Sequence, residues 1–595
     1  MSPIRLTSPA LRGVALFPVS AVALLALTGC PDNYGNGTAN GNGGFKETGL
    51  VDTADTGDTG ETGDTAETGD TGDTGDTDTG DTADTGTKPT LAALAAWPRN
   101  MVVDVGATYT IRAVATETDG SRHVYAGAKF HEDDSAVATV DGGGVVTAVG
   151  AGSTVIRVTA EGQEADLNIT VNADFSALVT VVDATTGAGI SGATVRVPAG
   201  DFTTDASGVA TVTLTDGLPV TYTAWITDDH YAVSVLDTVS RQLTIPLEVV
   251  ADQSPSATLH GSVDFTDVKD AGFGEVVFGL AAASVQGDLA LFQVEDLLAD
   301  NRTLSLFNTN VSVPENIFLE SYQPDYYAPA FSGSTSVWCL GGPVGLGELQ
   351  SGISGIGDAL ALIVDHLPDM SWGSTTGLAT SAGATTEAPL APAVAFSDSS
   401  HVALPSLSAG FDGTEDQFVV TADGVPGEGW SITGLGLGSG VIDVSRVPAG
   451  NVSGASESMV YTLAEVGGLG SGGGRAAAVA MDDGGTVTFP DLQDIPVVNA
   501  WSPGTRELDV SVDSDAALVR IQMVDDSGRV HELWTDGGWV GTVDKSLSDF
   551  QRGKADVTVE SYTVLDGNFE EWVSTSGLDV QAREPDTVSR VTQVE

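Results

Sequence analysis

Only two cysteines, Cys30 and Cys339, occur in 595 residues, so the disulfide framework that staples many small secreted domains is excluded. Basic residues are scarce as well. Against 82 Asp and Glu stand 23 Lys and Arg, a formal net charge of −59. Nucleic acid is thereby excluded as a partner, because neutralising phosphates takes Lys and Arg in groups. Electrostatic docking on anionic lipid is disfavoured on the same ground. Nowhere is there an uninterrupted apolar stretch of the roughly 20 residues that a membrane-spanning helix needs.

Recognisable catalytic patterns are missing too. The seven histidines, His123, His131, His230, His260, His366, His401 and His531, are scattered, with no pair spaced for one helix face and no His-Glu-x-x-His. His131-Glu132-Asp133-Asp134 and Asp228-Asp229-His230 each offer possible ligands, yet a solvated polar loop is the expected state of the first. No Gly-x-Ser-x-Gly elbow is present. Gly468-Leu469-Gly470-Ser471-Gly472-Gly473 satisfies the spacing of a dinucleotide loop. The next segment, Arg475 to Met481 before Asp482-Asp483-Gly484-Gly485, is too short for the helix such a loop must open, so a hairpin loop is expected. No catalytic residue, metal site or cofactor is assigned, and the chain is expected not to be an enzyme.

What is present begins with an export pattern. Arg5 and Arg12 precede an apolar run from Val14 to Leu27, broken only by Pro18 and Ser20. The run ends in Leu27-Thr28-Gly29-Cys30, which resembles the lipobox of bacterial lipoproteins. The resemblance implies cleavage before Cys30, acylation of Cys30 (diacylglycerol, and palmitate as a typical acyl group) and attachment to the cell envelope, at the outer membrane or cell surface. Two or three acyl chains hold firmly where one binds reversibly, since each buried CH₂ contributes about 0.8 kcal/mol.

From Val51 to Thr87 the chain repeats Asp-Thr-Gly, with Ala or Glu substituting and one break of register at Asp76-Thr77-Asp78-Thr79-Gly80. No large apolar side chain lies between Val51 and Leu91, so no core can offset the entropy of ordering. A disordered, charge-stretched linker is expected. Residues 31–89 would span about 40 Å as a neutral coil and at most roughly 190 Å fully extended. Asp-Thr-Gly is also the catalytic triplet of aspartic proteases, but here its flanks are more of the same tract instead of an apolar strand. A calcium loop would need a fixed turn with a carboxylate at a set offset, and the tract has neither.

Beyond the linker, period-two runs such as Tyr109–Val114 and Thr154–Val158 alternate with turn clusters such as Asp141-Gly142-Gly143-Gly144. These predict an antiparallel sandwich over 91–172. Ser135–Asp141 followed by Gly144–Gly152 resembles the signature of bacterial Ig-like group 2 domains, with Phe130 where that family often has Trp. The resemblance implies a spacer or adhesive module. Over 173–250, Ala177–Asp183, Gly189–Val197 and Thr203–Ala210 are similar to the carboxypeptidase regulatory-like, transthyretin-type sandwich. There the Thr-Asp-x-x-Gly turn at 204–208 is expected to use Asp205 as acceptor of backbone donors and Gly208 at positive φ.

Residues 251–495 form a β-rich block that resembles no family, with one helix expected over 358–367 before Pro368. Two of its features bear on ligands: the Tyr322–Tyr327 segment, readable as a platform or as a turn packing its own rings, and Cys339, expected as a small buried residue. Residues 496–595 regain alternation and suit one more Ig- or fibronectin-like sandwich. Trp501, Trp534, Trp539 and Trp572 fall there, with core packing expected ahead of sugar stacking.

The expected architecture is thus all-β: signal peptide 1–29, lipid-anchored acidic linker 30–90, sandwiches at 91–172 and 173–250, a β-rich block at 251–495 and a terminal sandwich at 496–595. The expected function is surface adhesion, recognition or spacing, with the membrane as partner through Cys30 and a surface glycan or protein as the open ligand. An accessory carbohydrate-binding protein is the first alternative, and an enzyme of unfamiliar type within 251–495 the second.

Overall fold

The computed structural model describes residues 90–593, apart from several short internal stretches of which 543–554 and 577–586 are the longest. Cys30 and the acidic tract lie outside the described residues. The described part is all-β, with a few short helices.

Alternation becomes pleat in the first block. Strand Gly152–Ala160 buries Thr154, Ile156, Val158 and Ala160 and leaves the residues between them more exposed. It pairs antiparallel with Gln163–Asn172, whose other neighbour, Asn100–Asp104, runs parallel to it. Their inward side chains meet those of the Arg112–Glu117 strand in a core that includes Met101, Val103, Ala113, Ile156, Val158 and Leu167. Fully burying each large aliphatic contributes about 1.5–3 kcal/mol. Phe130 packs partly buried against this core. The Ser135–Gly152 segment forms a hairpin of Ala138–Val140 with Val145–Ala148. The Asp141 carboxylate closes its turn, accepting from the Gly143 and Val145 amides at 2.9 Å each.

The second block shows the expected Asp turn. Asp205 Oδ1 accepts from the Ser207 hydroxyl at 2.7 Å, the Val209 amide at 3.0 Å and the Ser207 amide at 2.8 Å, and these bonds, the hydroxyl's foremost, hold the carboxyl below its ordinary range. Gly208 has φ +83°, and a Cβ there would lie 2.6 Å from Gly189 Cα and from the Val181 oxygen. Only glycine meets both conditions.

The blocks are joined by hydrogen bonds as well as by chain. Strand Ala232–Thr238 pairs in parallel with Val530–Thr535, Ala232 opposite His531. From there the sheet runs through Leu518–Asp525, Ala555–Thr563 and Thr587–Gln593 to Arg475–Met481, and on through 398–488, for 15 strands in all. C-terminal strands thus sit between strands of the second block and strands of the central one. The result is a common core in which Val179, Tyr222 and Ile245 cluster with Leu518, Trp534, Tyr562 and Trp572.

Around residues 564–574 the three segments meet. The Glu571 carboxylate accepts from the Arg99 amide at 2.9 Å, and Arg112 donates to the Val564 oxygen at 3.2 Å. Asn568 caps the short helix Phe569–Glu571, its side chain accepting from the Glu571 amide. Nearby, Arg241 Nε donates to Asp104 Oδ2 at 2.6 Å, both side chains fully buried. Such a pair fixes register more than it adds stability, since desolvating two charges offsets much of their attraction.

In the central block, Glu275–Ala283, Gly333–Gly345 and Ser371–Thr380 form the middle of a five-stranded sheet. Gly279 has to be glycine, because a Cβ would lie 2.1 Å from the Phe318 ring. A smaller sheet places Ala257–Ser262 between Asp325–Ala330, antiparallel, and Thr385–Glu387, parallel. The expected helix is present as Ile356–His366, followed by a 3-10 turn at Leu367–Asp369 that contains Pro368.

Candidate functional site

Most polar groups singled out in the sequence are used up structurally. His131 and Glu132 belong to strand Lys129–Glu132 and not to a loop, because that strand pairs with Gly152–Ala160. Asp134 instead caps the turn after it, accepting from the Ala136 amide at 2.9 Å. Asp228 and Asp229 lie outside the described residues. Among the described residues, no group of three or more His, Cys, Asp or Glu is arranged to hold a metal ion. Strands Glu457–Glu465 and Arg475–Met481 are antiparallel neighbours, and residues 468–472 of the glycine pattern between them lie outside the described residues.

Cys339 is free and fully buried, and burial pushes its thiol well above the ordinary range, which leaves little thiolate to act as nucleophile. Trp501, Trp534 and Trp572 are buried in cores, as expected, while Trp539 lies outside the described residues. Trp534 lies under the Arg520 guanidinium, 5.6 Å from ring centre to Cζ. Arg520 in turn donates to Glu532 Oε1 at 3.0 Å and to Glu560 Oε2 at 3.3 Å, and Tyr562 donates to Glu560 at 2.6 Å. All five side chains are buried, so this network holds strands together and presents nothing to a ligand. The same is true of Arg446, which bridges Asp482 at 2.5 Å and Asp423 at 3.3 Å.

What faces solvent is a row across the small central sheet. The Tyr322–Tyr327 segment divides by pleat: Tyr326 points inward and is fully buried, whereas Tyr327 points outward and is 38% exposed. Cross-strand register sets His260 directly opposite Tyr327 on one side and Glu387 on the other. The imidazole stacks on the Tyr327 ring at 4.4 Å between centroids, tilted by 30°. Its Nδ1 lies 3.0 Å from Glu387 Oε1. The other side of the sheet is closed by Leu259, Tyr326 and Ala328 in a buried cluster with Phe318 and Cys339. Sequence reasoning found the tyrosines but missed His260 and Glu387, which come from strands far away in the chain on either side.

The row's one carboxylate–imidazole pair has no nucleophile among its partners, and Glu387 is mostly exposed.

No protein-family model matches the chain, and no curated protein matches it in sequence. Solved structures similar to it include domains 4–9 of the surface layer protein SbsC, 11% identical over 80% of this chain and 63% of that one, with a TM-score of 0.14. A tetra-tandem repeat in the extending region of a large adhesion protein is 12% identical over 84% and 99%, TM-score 0.11. Invasin, a bacterial integrin-binding protein, is 13% identical over 80% and 76%, TM-score 0.11. Scores this low carry no argument about function.

Proposed function

We propose that the chain is a lipid-anchored bacterial envelope protein that displays a β-structured head for adhesion, recognition or spacing. One observation carries the reading: an apolar export run ending in Leu27-Thr28-Gly29-Cys30, succeeded at once by a long acidic tract with no core-forming residues. The cysteine supplies the anchor, the tract a tether, and residues 91–595 the cargo. An Ig-like group 2 module at 91–172 and a transthyretin-type module at 173–250 fit the closed hairpin at Asp141 and the Asp205–Gly208 turn. The head acts by presenting surface and not by turnover: its buried ionic networks are committed to holding strands.

The test is acylation. Wild-type protein should incorporate labelled palmitate and partition into detergent, and Cys30→Ala should do neither. Recovery of Cys30→Ala in the detergent phase at wild-type levels would refute the anchor. A second reading, an accessory carbohydrate-binding protein, is favoured by the exposed Tyr327–His260–Glu387 row.

A further inference from the structure

The geometry points to the outer face of the small central sheet, centred on Tyr327, as a binding face for a neutral glycan chain. The inference deepens the recognition reading and does not depend on the anchor, so failure of the acylation test would leave it standing.

Three features of the face define its ligand. The first is an apolar strip. Tyr327 and Pro329 stand two residues apart on one strand, hence on the same face and about 7 Å from each other. Both keep surface open to solvent. The second is a fixed ring. His260 covers part of Tyr327 and is itself held by Glu387, so the tyrosine is oriented before a ligand arrives. The third is a polar margin: Thr258 lies opposite Pro329 in register, and Asp325 precedes Tyr327 by two residues.

A pyranose ring matches that layout. Its C–H face is apolar and would lie on the strip, and its equatorial hydroxyls would reach acceptors and hydroxyls at the edge. Tyrosine suits such an arrangement because it couples large apolar area with a polar tip.

Charge narrows the class further. Glu387 and Asp325 flank the strip. The Arg302 guanidinium nearby is committed through Nη2 to the carbonyls of Ile317 and Asp325, at 2.7 and 3.1 Å. A phosphorylated, sulfated or uronic polymer would therefore be repelled by the Glu387 and Asp325 carboxylates at the strip. A Lys-rich peptide would be attracted by the same carboxylates, but that attraction would be screened by salt and would leave the apolar strip unused. The neutral sugar is the occupant that uses both the strip and its margin.

The experiment uses the purified full chain with two neutral probes, cellohexaose and chitohexaose, in titration calorimetry, and poly-lysine as the competing class. Binding of at least one hexaose is expected, insensitive to salt. Tyr327→Ala should weaken it by about tenfold or more. Tyr327→Phe, which keeps the ring and loses the polar tip, should bind less tightly than wild type and more tightly than Tyr327→Ala. His401→Ala, at an exposed His–Asp pair on a different sheet, should leave binding unchanged. Thermal melting of each variant separates lost binding from lost fold. The proposal is overturned if neither hexaose binds, if a folded Tyr327→Ala binds as tightly as wild type, or if only poly-lysine binds and salt abolishes it.

Discussion

Replacing Glu570 by Gln isolates one titration at the place where the first sandwich, the second block and the C-terminal segment meet. Glu570 Oε2 accepts from the Thr238 hydroxyl at 2.6 Å and Oε1 from the Val239 amide at 3.1 Å. Burial, the larger effect, outweighs these bonds and pushes the carboxyl up to about 7, and Asp536 adds a like charge in the same direction. An acid whose value is raised in the fold contributes stability that is fully present below its unfolded value, near 4.5, and is lost as pH rises through about 7. The shift would correspond to roughly 3 kcal/mol. Because the residue keeps some exposure, about 2 kcal/mol is the working expectation.

An amide cannot ionise, yet its oxygen can still accept from Val239 and its NH₂ can donate to the Thr238 hydroxyl. Glu570→Gln should therefore match wild type or fall slightly below it near pH 5, and exceed it by about 2 kcal/mol near pH 8. Hydrogen exchange at the Val239 amide, tracked with pH, reads the joint locally and avoids assuming one transition for so large a chain. If exchange in mutant and wild type stays parallel from acid to alkaline pH, Glu570 does not titrate in this range and the reasoning fails.

The buried Asp104–Arg241 pair gives a second expectation. Arg241→Met should cost about 3–5 kcal/mol by stranding Asp104, and Asp104→Leu added to it should restore much of the loss; hydrogen exchange at the residue 241 amide, which donates to the Val102 oxygen, measures both. If the double variant is no better than the single, the penalty is not the stranded charge. Third, electrophoretic mobility should be the same with and without reductant, since an acylated Cys30 has no thiol and Cys339 is free and buried. A reductant-dependent shift of the monomer would show the two paired. Fourth, residues 31–90 should contract in small-angle scattering as salt rises, because their carboxylates lie within a Debye length of about 8 Å of one another. Dimensions that ignore salt but collapse at a stoichiometric calcium level would mean a metal-ordered structure instead of a linker.

Local chemistry is what the sequence exposes. The alternation at Thr154–Val158, the Asp205–Gly208 turn and the helix stop at Pro368 were all readable, because each depends on neighbours within a few residues. The strand at 518–525 shows the limit. Leu518-Val519-Arg520-Ile521-Gln522-Met523 alternates like a strand with one wet face, yet both of its faces are buried. Its polar side is closed by Glu532 from one neighbouring strand and Glu560 from the other, and periodicity cannot tell a charge that meets water from one that meets a partner.

The parallel pairing of 232–235 with 531–534 left no trace either, since nearly 300 residues separate the partners and a register that distant has no local signature. The recognition face combines both cases. Pleat alone explains why Tyr327 faces out when Tyr326 does not, so the tyrosines were visible in the sequence. Long-range register brings His260 and Glu387 to their sides, and it is this register that turns one exposed ring into an oriented surface. Any function this face has is therefore a property of strand order, and a substitution that shifts the 257–262 strand by one residue would abolish it without touching Tyr327, because His260 would then point into the core.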